Sequence, residues 1–455
     1  MTASFHRMAA AAAESRVCLP KEMRFYVAIC ALSAATLAAA SAGETAAGSG
    51  SLSLDEVLRA VAANNPSIKA ARAKWQAMKA RVPQAAAWED LRAQGSSRAA
   101  RHVTIPPNSF MDQSLMLQQE IPITGKNRSR ARAATAEAGA AFEDLRRTEL
   151  DVVARARAAY YRLANEHAQL DVNRRNIELL NQFAKISRDR YEVGTASQAD
   201  VLTAETDTAR LEEAQVDIFR RISDAQTQLN VLMNRPAQAP LGTPMRMPFR
   251  SVQLSLRQLQ EVAIAARPEV QRAQNRVEAE KFRVELAQRQ RVPDPMLNVQ
   301  AQRYNEAKGA VSELDVGVSF ALPFLNARKY SAGILEARQN AESAQQDLAA
   351  ARTDALGLVR DQIKKVETAA HHYELYRDKI LPLARQTVQS NRSAYEASSA
   401  NFLNLITAQR VLQDAESTFV NHLADYQIAL AELDAIVGIE ERNTFENSPA
   451  TRGSK

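Results

Sequence analysis

The stretch RYEVGTASQADVLTAE, at residues 190–205, marks a place where one long helical region ends and another begins. Gly194 interrupts a run that contains no proline between Pro122 and Pro236. The same order of residues returns about 204 positions later as AYEASSANFLNLITAQ, at residues 394–409. The sequence therefore predicts two copies of a hairpin made of two antiparallel helices.

The repeat extends over almost the whole chain. Ile121-Pro122-Ile123, for example, returns as Leu322-Pro323-Phe324 at nearly the same offset. Solenoid repeats are roughly 20 to 50 residues long, so an offset of about 200 indicates a duplicated unit of domain size. We expect a first repeat at residues 43–240, a second repeat at residues 241–439 and a disordered tail at residues 440–455.

Composition and apolar spacing both favour long coiled-coil helices. Only 5% of residues are aromatic and 14 are glycine, whereas alanine is over-used. The second helix of each hairpin has an apolar residue at every seventh position, which predicts a coiled-coil seam. The seam residues are Leu211, Ile218, Ala225 and Leu232 in the first repeat, and Leu405, Leu412, Phe419, Tyr426 and Leu433 in the second. The helix before Gly194, from about residue 127 to 191, would be roughly 100 Å long. Pro382 is expected to kink its counterpart.

Strand-like sequence occurs once in each repeat. Leu314, Val316 and Val318 alternate with polar or small residues, which is typical of a strand with one apolar face. We expect a β-hairpin at about 88–122 and another at about 295–323, although the first strand, around Leu91 to Arg101, is poorly patterned.

Two interpretations of these strands remain open from the residues alone. Four strands cannot close a transmembrane barrel, whose smallest bacterial versions have about eight. An isolated hairpin is also marginally stable in water. The strands therefore either form a small soluble sheet that caps the coiled coil, or they enter the outer membrane after the chain has oligomerised.

The N-terminus has the features of an export signal at residues 1–42. Met23 is the predicted true start, and residues 25–40 form the apolar core of the signal. A transmembrane anchor is the rival interpretation, but about sixteen apolar residues are few for a span. Lipidation at Cys30 is disfavoured because the residue before it is not small. Since Cys18 and Cys30 both precede the predicted cut, the exported chain has no thiol chemistry.

Charge and motifs argue against nucleic-acid binding and catalysis. A net charge of +6 over 455 residues is a solvated surface without a basic footprint. Phosphate-binding loops and hydrolase or metalloprotease motifs are absent from the sequence. The adjacent His371 and His372 point about 100° apart on a helix, so a structural role is expected and no metal site. We therefore expect a protein that is not an enzyme and needs no cofactor.

The order of motifs resembles that of the TolC-type outer-membrane efflux duct family over nearly the whole exported chain. Each motif is weak alone, but their order, spacing and duplication together are specific. The motifs are Leu52-Ser53-Leu54 through Asn64-Asn65-Pro66, Gln119-Glu120-Ile121-Pro122 with Gly125-Lys126, and Arg190-Tyr191-Glu192-Val193-Gly194-Thr195 followed by Asp200-Val201-Leu202.

The resemblance implies a mainly α fold with a small β part and a homotrimer. Three chains would supply a 12-stranded β-barrel in the outer membrane, continuous with an α-helical barrel in the periplasm. The duct would be passive, and its implied partners are a periplasmic adaptor, an inner-membrane pump and outer-membrane lipid. Gly125-Lys126 and Phe324-Leu325-Asn326-Ala327-Arg328 also resemble the heavy-metal efflux branch, which makes metal ions a candidate substrate.

The resemblance also assigns the helix tips as adaptor contacts. One tip is Gly194 and Thr195, and the other is Ser398 and Ser399; the alternative is a plain helix turn with Gly194 as its C-cap.

Four further residues are candidates for the pore entrance: Asp200, Thr203, Asn404 and Thr407. Some relatives have acidic residues where this chain has Asn404 and Thr407, which argues against a strong cation site. Asp200 is acidic like the residues of those relatives. Its alternative role is structural, because a carboxylate in the first turn of a helix interacts favourably with the helix dipole.

A different class of function remains as the alternative. A soluble periplasmic coiled-coil scaffold or adaptor would share the long helices. Adaptors usually carry a Gly-rich carrier-like β module between their helices, and the sequence contains no such module.

Overall fold

A computed structural model describes residues 50–97, 113–253, 255–306 and 309–439. The predicted signal peptide, with both cysteines, and the predicted tail lie outside the described residues. The described chain consists mainly of long helices with two small sheets, which confirms the predicted fold class.

The first half of the described chain leads from short helices through two strands into a helix hairpin. Its elements are β1 (Ser51–Leu52), α1 (Leu54–Asn64), α2 (Pro66–Ala86), β2 (Arg92–Ser97), β3 (Gln113–Glu120), α3 (Lys126–Glu192) and α4 (Gln198–Leu232). Ser53 caps α1 because its hydroxyl accepts a hydrogen bond from the amide of Glu56 at 3.2 Å. At 67 residues, α3 is about 100 Å long.

The second half repeats this order with one irregularity. Its elements are β4 (Thr243–Pro244), α5 (Leu256–Ala266), α6 (Pro268–Arg289), β5 (Met296–Glu306), β6 (Gly309–Ser319), a 3-10 turn (Pro323–Asn326), α7 (Ala327–Leu375), a π-helical turn (Tyr376–Ile380), α8 (Leu381–Glu396) and α9 (Phe402–Val437). The π-helical turn immediately precedes Pro382, which has no amide proton to donate to the carbonyl of Asp378. Among the described residues, none of the helices is both long and apolar enough to cross a membrane.

Four of the described strands form an antiparallel sheet in the order β2-β3-β5-β6, and β1 pairs separately with β4 in a short parallel ladder. β3 pairs with β5, so the two predicted hairpins share one sheet, which their local patterns did not indicate. Leu117, Val299 and Val316 are direct cross-strand partners, and they lie on one apolar face. Gln118 and Asn298 belong to the opposite face, which is polar. Within the described residues, β2 and β6 are the edge strands, each paired on one side.

The predicted coiled-coil seams are confirmed by burial. Leu211, Ile218 and Ala225 are buried on α4. On α9, Leu405 and Leu433 have no exposed area. Period-seven packing therefore holds the helices of each hairpin together along most of their length.

A buried polar cluster joins the base of the sheet to the helices. Lys126, at the start of α3, places its Nζ 2.9 Å from Oδ2 of Asp294, just before β5. The amide of Thr124 donates to the other oxygen of Asp294 at 2.9 Å, and Arg289 donates to the carbonyl of Thr124 at 2.8 Å. Gly125 adopts a φ of +73°, and a Cβ there would clash with the Arg289 guanidinium. These contacts connect residues about 165 to 170 positions apart, one from each half.

Candidate functional site: the helix tips and the entrance beside them

The first tip is a tight turn between α3 and α4. Gly194 adopts a φ of +75°, and its amide donates to the carbonyl of Tyr191 at 2.9 Å. Thr195 donates its amide and its hydroxyl to the carbonyl of Arg190, at 2.8 and 3.1 Å. A Cβ at Gly194 would meet no atom within 4 Å, so glycine is needed for the backbone conformation rather than for space.

The second tip is the same turn built from different residues. Ser399 donates its amide and its hydroxyl to the carbonyl of Ala394, at 2.9 and 3.0 Å. Ser398 takes the place of Gly194 and keeps a positive φ of +59°. Few residues other than glycine adopt this conformation, since Cβ crowds the backbone there. The backbone of this turn is therefore conserved between the two halves although its sequence is not.

Asp200 and Asn404 occupy the same position in the first turns of α4 and α9. The amide of Asp200 donates to the Ser197 hydroxyl at 3.3 Å, and that hydroxyl donates to the Asp200 carboxylate at 2.9 Å. The amide of Asn404 donates to the Asn401 side chain at 3.1 Å. Asp200 and Asn404 are therefore each the third residue of a helix, and their amides bind the side chain of the N-cap residue.

Thr203 and Thr407 lie one turn further along the same helices. Their hydroxyls donate to the carbonyls of Ala199 and Leu403, each at 2.7 Å. Asn404 and Thr407 are exposed, and Leu403 beside them is 65% exposed. The surface beside the second tip is therefore uncharged and partly apolar.

The two tips are tied together by Arg190 and Tyr395. The guanidinium of Arg190 lies over the Tyr395 ring, 4.5 Å from its centroid, and donates to the Ser398 hydroxyl at 2.9 Å. The Tyr395 phenol lies 3.2 Å from the Ser187 hydroxyl and 3.5 Å from the Asp200 carboxylate. Burial, together with the negative charge of Asp200, raises the pKa of the Tyr395 phenol. The phenol is therefore protonated at neutral pH and available as a donor to Asp200.

A second cross-link lies about two helical turns behind the tips. Arg410 on α9 forms a two-pronged ion pair with Asp207 on α4, at 2.9 and 3.0 Å, and the Asp207 side chain is only 8% exposed. Gln409 donates to Asn176 beside this pair. Both contacts join the hairpin of one half to that of the other.

Sequence reasoning did not include Arg190 and Tyr395 among the candidate site residues. Tyr395 corresponds to Tyr191 and Arg190 to Ala394 in the repeat, but the halves differ at many positions, so the sequence contains no signal for this contact.

The histidines are closer together than their spacing suggests. The rings of His371 and His372 have centroids 6.4 Å apart, but His372 and His422 approach to 5.1 Å. Burial and the neighbouring His372 lower the pKa of His422. Within the described ranges, no three or more His, Cys, Asp or Glu residues are arranged to hold a metal ion.

Replacing Arg190 with Met is expected to loosen the second tip. The change removes a stacked cation and a hydrogen bond, which together contribute about 1–2 kcal/mol. Hydrogen exchange at the amides of residues 394–399 should accelerate about 5- to 30-fold. Arg188→Met is the matched control, because Arg188 pairs with Glu205 on the exposed surface of the same half. Equal exchange in both variants would contradict the link between the tips.

Comparison with known proteins agrees with this architecture. The family described as "Outer membrane efflux protein" matches residues 57–235 and 259–439, which together cover more than half of the chain. The outer membrane protein VceC of Vibrio cholerae has a similar fold, with a TM-score of 0.70 and 19% identity over 85% of this chain and 96% of VceC.

Two curated relatives are named for different substances. The toluene efflux pump outer membrane protein TtgF of Pseudomonas putida is 24% identical over 322 residues, which are 69% of this chain and 66% of TtgF. The chain thus spans slightly less than two thirds of the length of this relative. The cobalt-zinc-cadmium resistance protein CzcC of Cupriavidus metallidurans is 24% identical over 70% of this chain and 76% of CzcC. With the family match to both halves, the chain belongs to the outer membrane efflux protein family, and its location is the outer membrane.

Proposed function

We propose that the chain forms the passive exit duct of a tripartite efflux pump. In this proposal it carries substrate from a periplasmic adaptor and an inner-membrane pump to the outside. The observation that carries the proposal is the polarity of the sheet, with one exposed apolar face and one polar face. Such a sheet suits lipid on one side and an aqueous lumen on the other.

The open edges of the sheet support a homotrimer. Among the described strands, β2 and β6 each have one edge whose backbone donors and acceptors are unpaired, which is unfavourable in lipid. Three copies joined edge to edge would supply twelve strands and close the barrel, as the family resemblance implies. The α3 helices, at about 100 Å each, would then form the periplasmic tunnel.

The tips would lie at the periplasmic end of this tunnel. Gly194, Thr195, Ser398 and Ser399 would contact the adaptor there, because these turns are exposed at the end of α3 farthest from the sheet. Asp200, Thr203, Asn404 and Thr407 would line the entrance beside them.

Substrate choice would rest mainly with the pump. The polar face of the sheet combines uncharged amides such as Gln118 and Asn298 with charged residues such as Glu313 and Asp315. A lumen of this mixed character favours no single class of substrate, so it would pass several kinds of cargo. Metal ions are the first class to test, because the CzcC relative confers cobalt, zinc and cadmium resistance.

Fractionation of cells tests the proposal directly. The protein should sediment with the outer membrane, require detergent for extraction and migrate as a trimer. Recovery in the soluble periplasm would instead favour a coiled-coil scaffold or adaptor and would overturn the duct.

Gly194→Trp is expected to abolish efflux while leaving normal amounts of trimer. The Cβ space at Gly194 is open, so the indole would project outward from the tip and block docking. The backbone strain at positive φ costs about 1–2 kcal/mol, which the long coiled coil can tolerate. Trimer abundance and substrate accumulation would be measured in the same cells.

Gly194→Asn is the matched control, since asparagine tolerates positive φ and adds little bulk. It should keep both trimer and efflux. Full efflux in the Gly194→Trp variant would mean that the tip does not contact the adaptor. Loss of trimer in both variants would assign Gly194 to folding alone.

A further inference from the structure

Large exposed apolar side chains gather where the sheet joins the helices. Glu120, Met296 and Ser319 are cross-strand partners, so the segments beyond them lie at the same end of the sheet. Six apolar side chains in the segments at this end are between 53% and 72% exposed, and we call them the collar: Trp88, Leu91, Ile123, Val292, Phe324 and Leu325. Exposed apolar patches of this kind mark a surface that another apolar phase covers.

The collar continues the apolar face of the sheet without interruption. Val316 and Val318 on β6 are exposed on that face, and Phe320 and Leu322 extend the same alternation beyond the end of the strand. Phe324 lies in the 3-10 turn that follows this row and is 71% exposed. Whatever covers the apolar face of β6 is therefore expected to reach the collar as well.

Cationic side chains follow the collar about one helical turn further on. Arg328 and Lys329 come four residues after Phe324 and Leu325, at the start of α7, and both are exposed. Arg128 comes five residues after Ile123, and Arg291 directly precedes Val292; both are exposed. Arg291 donates to the Ser331 hydroxyl at 3.1 Å, and the Lys329 Nζ lies 5.8 Å from the centroid of the Tyr330 ring. In the part of the chain that the structure describes, the ion pairs of this region use other residues, such as Arg130 with Glu89 at 3.6 Å, so the charges of these four cations remain available to an anionic partner.

We propose that the collar lies in the inner leaflet of the outer membrane and that Arg328 and Lys329 bind the phosphates of acidic phospholipids. The inference rests on the proposed function and names the lipid that the sheet would meet at its periplasmic end. Trp side chains are favoured at the level of the headgroups, aliphatic side chains in the adjoining acyl chains, and long cationic side chains extend from there toward phosphate. Each cation near an anionic surface favours acidic lipid about fivefold.

A fluorophore attached at Leu325→Cys tests the depth of the collar. The only cysteines of the sequence, Cys18 and Cys30, precede the predicted cleavage site, so the label would be unique. The trimer would be reconstituted into vesicles that contain lipid brominated near the headgroup. The label at Leu325→Cys should be quenched. A label at Leu335→Cys, exposed to 59% but about 15 Å further along α7, should not be quenched.

A label at Leu314→Cys, roughly 16 Å along β6 from Ser319, separates the two proposals when it is measured with lipid brominated deep in the acyl chains. If neither the Leu314 label nor the Leu325 label is quenched, the sheet does not enter lipid and the duct itself fails. If the Leu314 label is quenched and the Leu325 label is not, the collar proposal alone is overturned. This result is expected if a neighbouring copy of the chain covers the collar.

The lipid preference is measured by moving the bromine between lipids of one mixture. The mixture contains equal amounts of phosphatidylglycerol and phosphatidylcholine. Bromine on phosphatidylglycerol should quench the Leu325→Cys label more strongly than bromine on phosphatidylcholine. The double variant Arg328→Gln/Lys329→Gln should remove this preference. Arg338→Gln/Arg352→Gln changes two exposed cations further along α7 and should keep it. Equal quenching by both lipids in the parent chain would overturn the assignment of the phosphate site.

Discussion

Val316→Arg should abolish the folded trimer in the outer membrane. Val316 is 67% exposed and lies in a cross-strand row with Leu117 and Val299 on the apolar face. An arginine near the bilayer midplane costs about 2–4 kcal/mol, and a trimer would carry three, for about 6–12 kcal/mol. Domains are stable by about 5–15 kcal/mol, so few trimers should survive. Trimer yield is measured in outer-membrane fractions by electrophoresis without heating.

Gln300→Arg is the matched control on the neighbouring strand. Gln300 lies opposite Asp315 on the polar face, where an arginine would meet water and a carboxylate. We expect a normal yield of trimer for Gln300→Arg and loss of the trimer for Val316→Arg. Equal yields of the two variants would mean that the faces of the sheet have been assigned wrongly.

Lys126→Met should destabilise the junction between sheet and helices by about 3–5 kcal/mol. The Lys126 and Asp294 side chains are only 13% and 2% exposed, so the change leaves a buried carboxylate without its cation. Lys126→Met/Asp294→Leu removes both charges and should recover most of the stability, since apolar pairs often replace buried ion pairs without loss. Urea unfolding of detergent-solubilised protein measures the difference. A double variant no more stable than the single one would contradict this account.

The same pair predicts how stability depends on pH. Burial tends to raise the pKa of Asp294, but hydrogen bonds from Thr124 and Lys126 and the positive charge of Lys126 outweigh it, so the pKa is lowered. A lowered folded-state pKa stabilises the protein above the pKa of the unfolded chain. This contribution should be lost as the pH falls through the folded pKa, and the loss should disappear in the double variant.

Periodicity in the sequence predicted those helices and strands that are determined by the spacing of neighbouring residues. The alternation at Leu314, Val316 and Val318 identified the apolar face because side chains in a strand alternate between its faces. The seventh-residue spacing from Leu405 to Leu433 identified the buried seam for the same kind of reason. The proline-free run before Pro236 likewise indicated long helices.

Contacts between the halves could not be derived in this way. The pairing of β3 with β5 and the link from Arg190 to Ser398 join residues about 180 to 210 positions apart. Such contacts depend on how the two repeats dock, which no window of sequence encodes. The adaptor contacts at Gly194 and Thr195 remain predictions, because they involve a second protein.

The positive φ of Ser398 shows how two copies of one turn can diverge. At the first tip, glycine relaxes the backbone and offers no side chain. At the second tip, serine retains a strained backbone, yet its hydroxyl accepts the hydrogen bond from Arg190. Glycine at position 398 would relieve the backbone strain but would have no hydroxyl to accept the hydrogen bond from Arg190. Serine accepts that hydrogen bond and retains the strain. The two halves thus contain one turn with a relaxed backbone and one turn whose side chain joins the two hairpins.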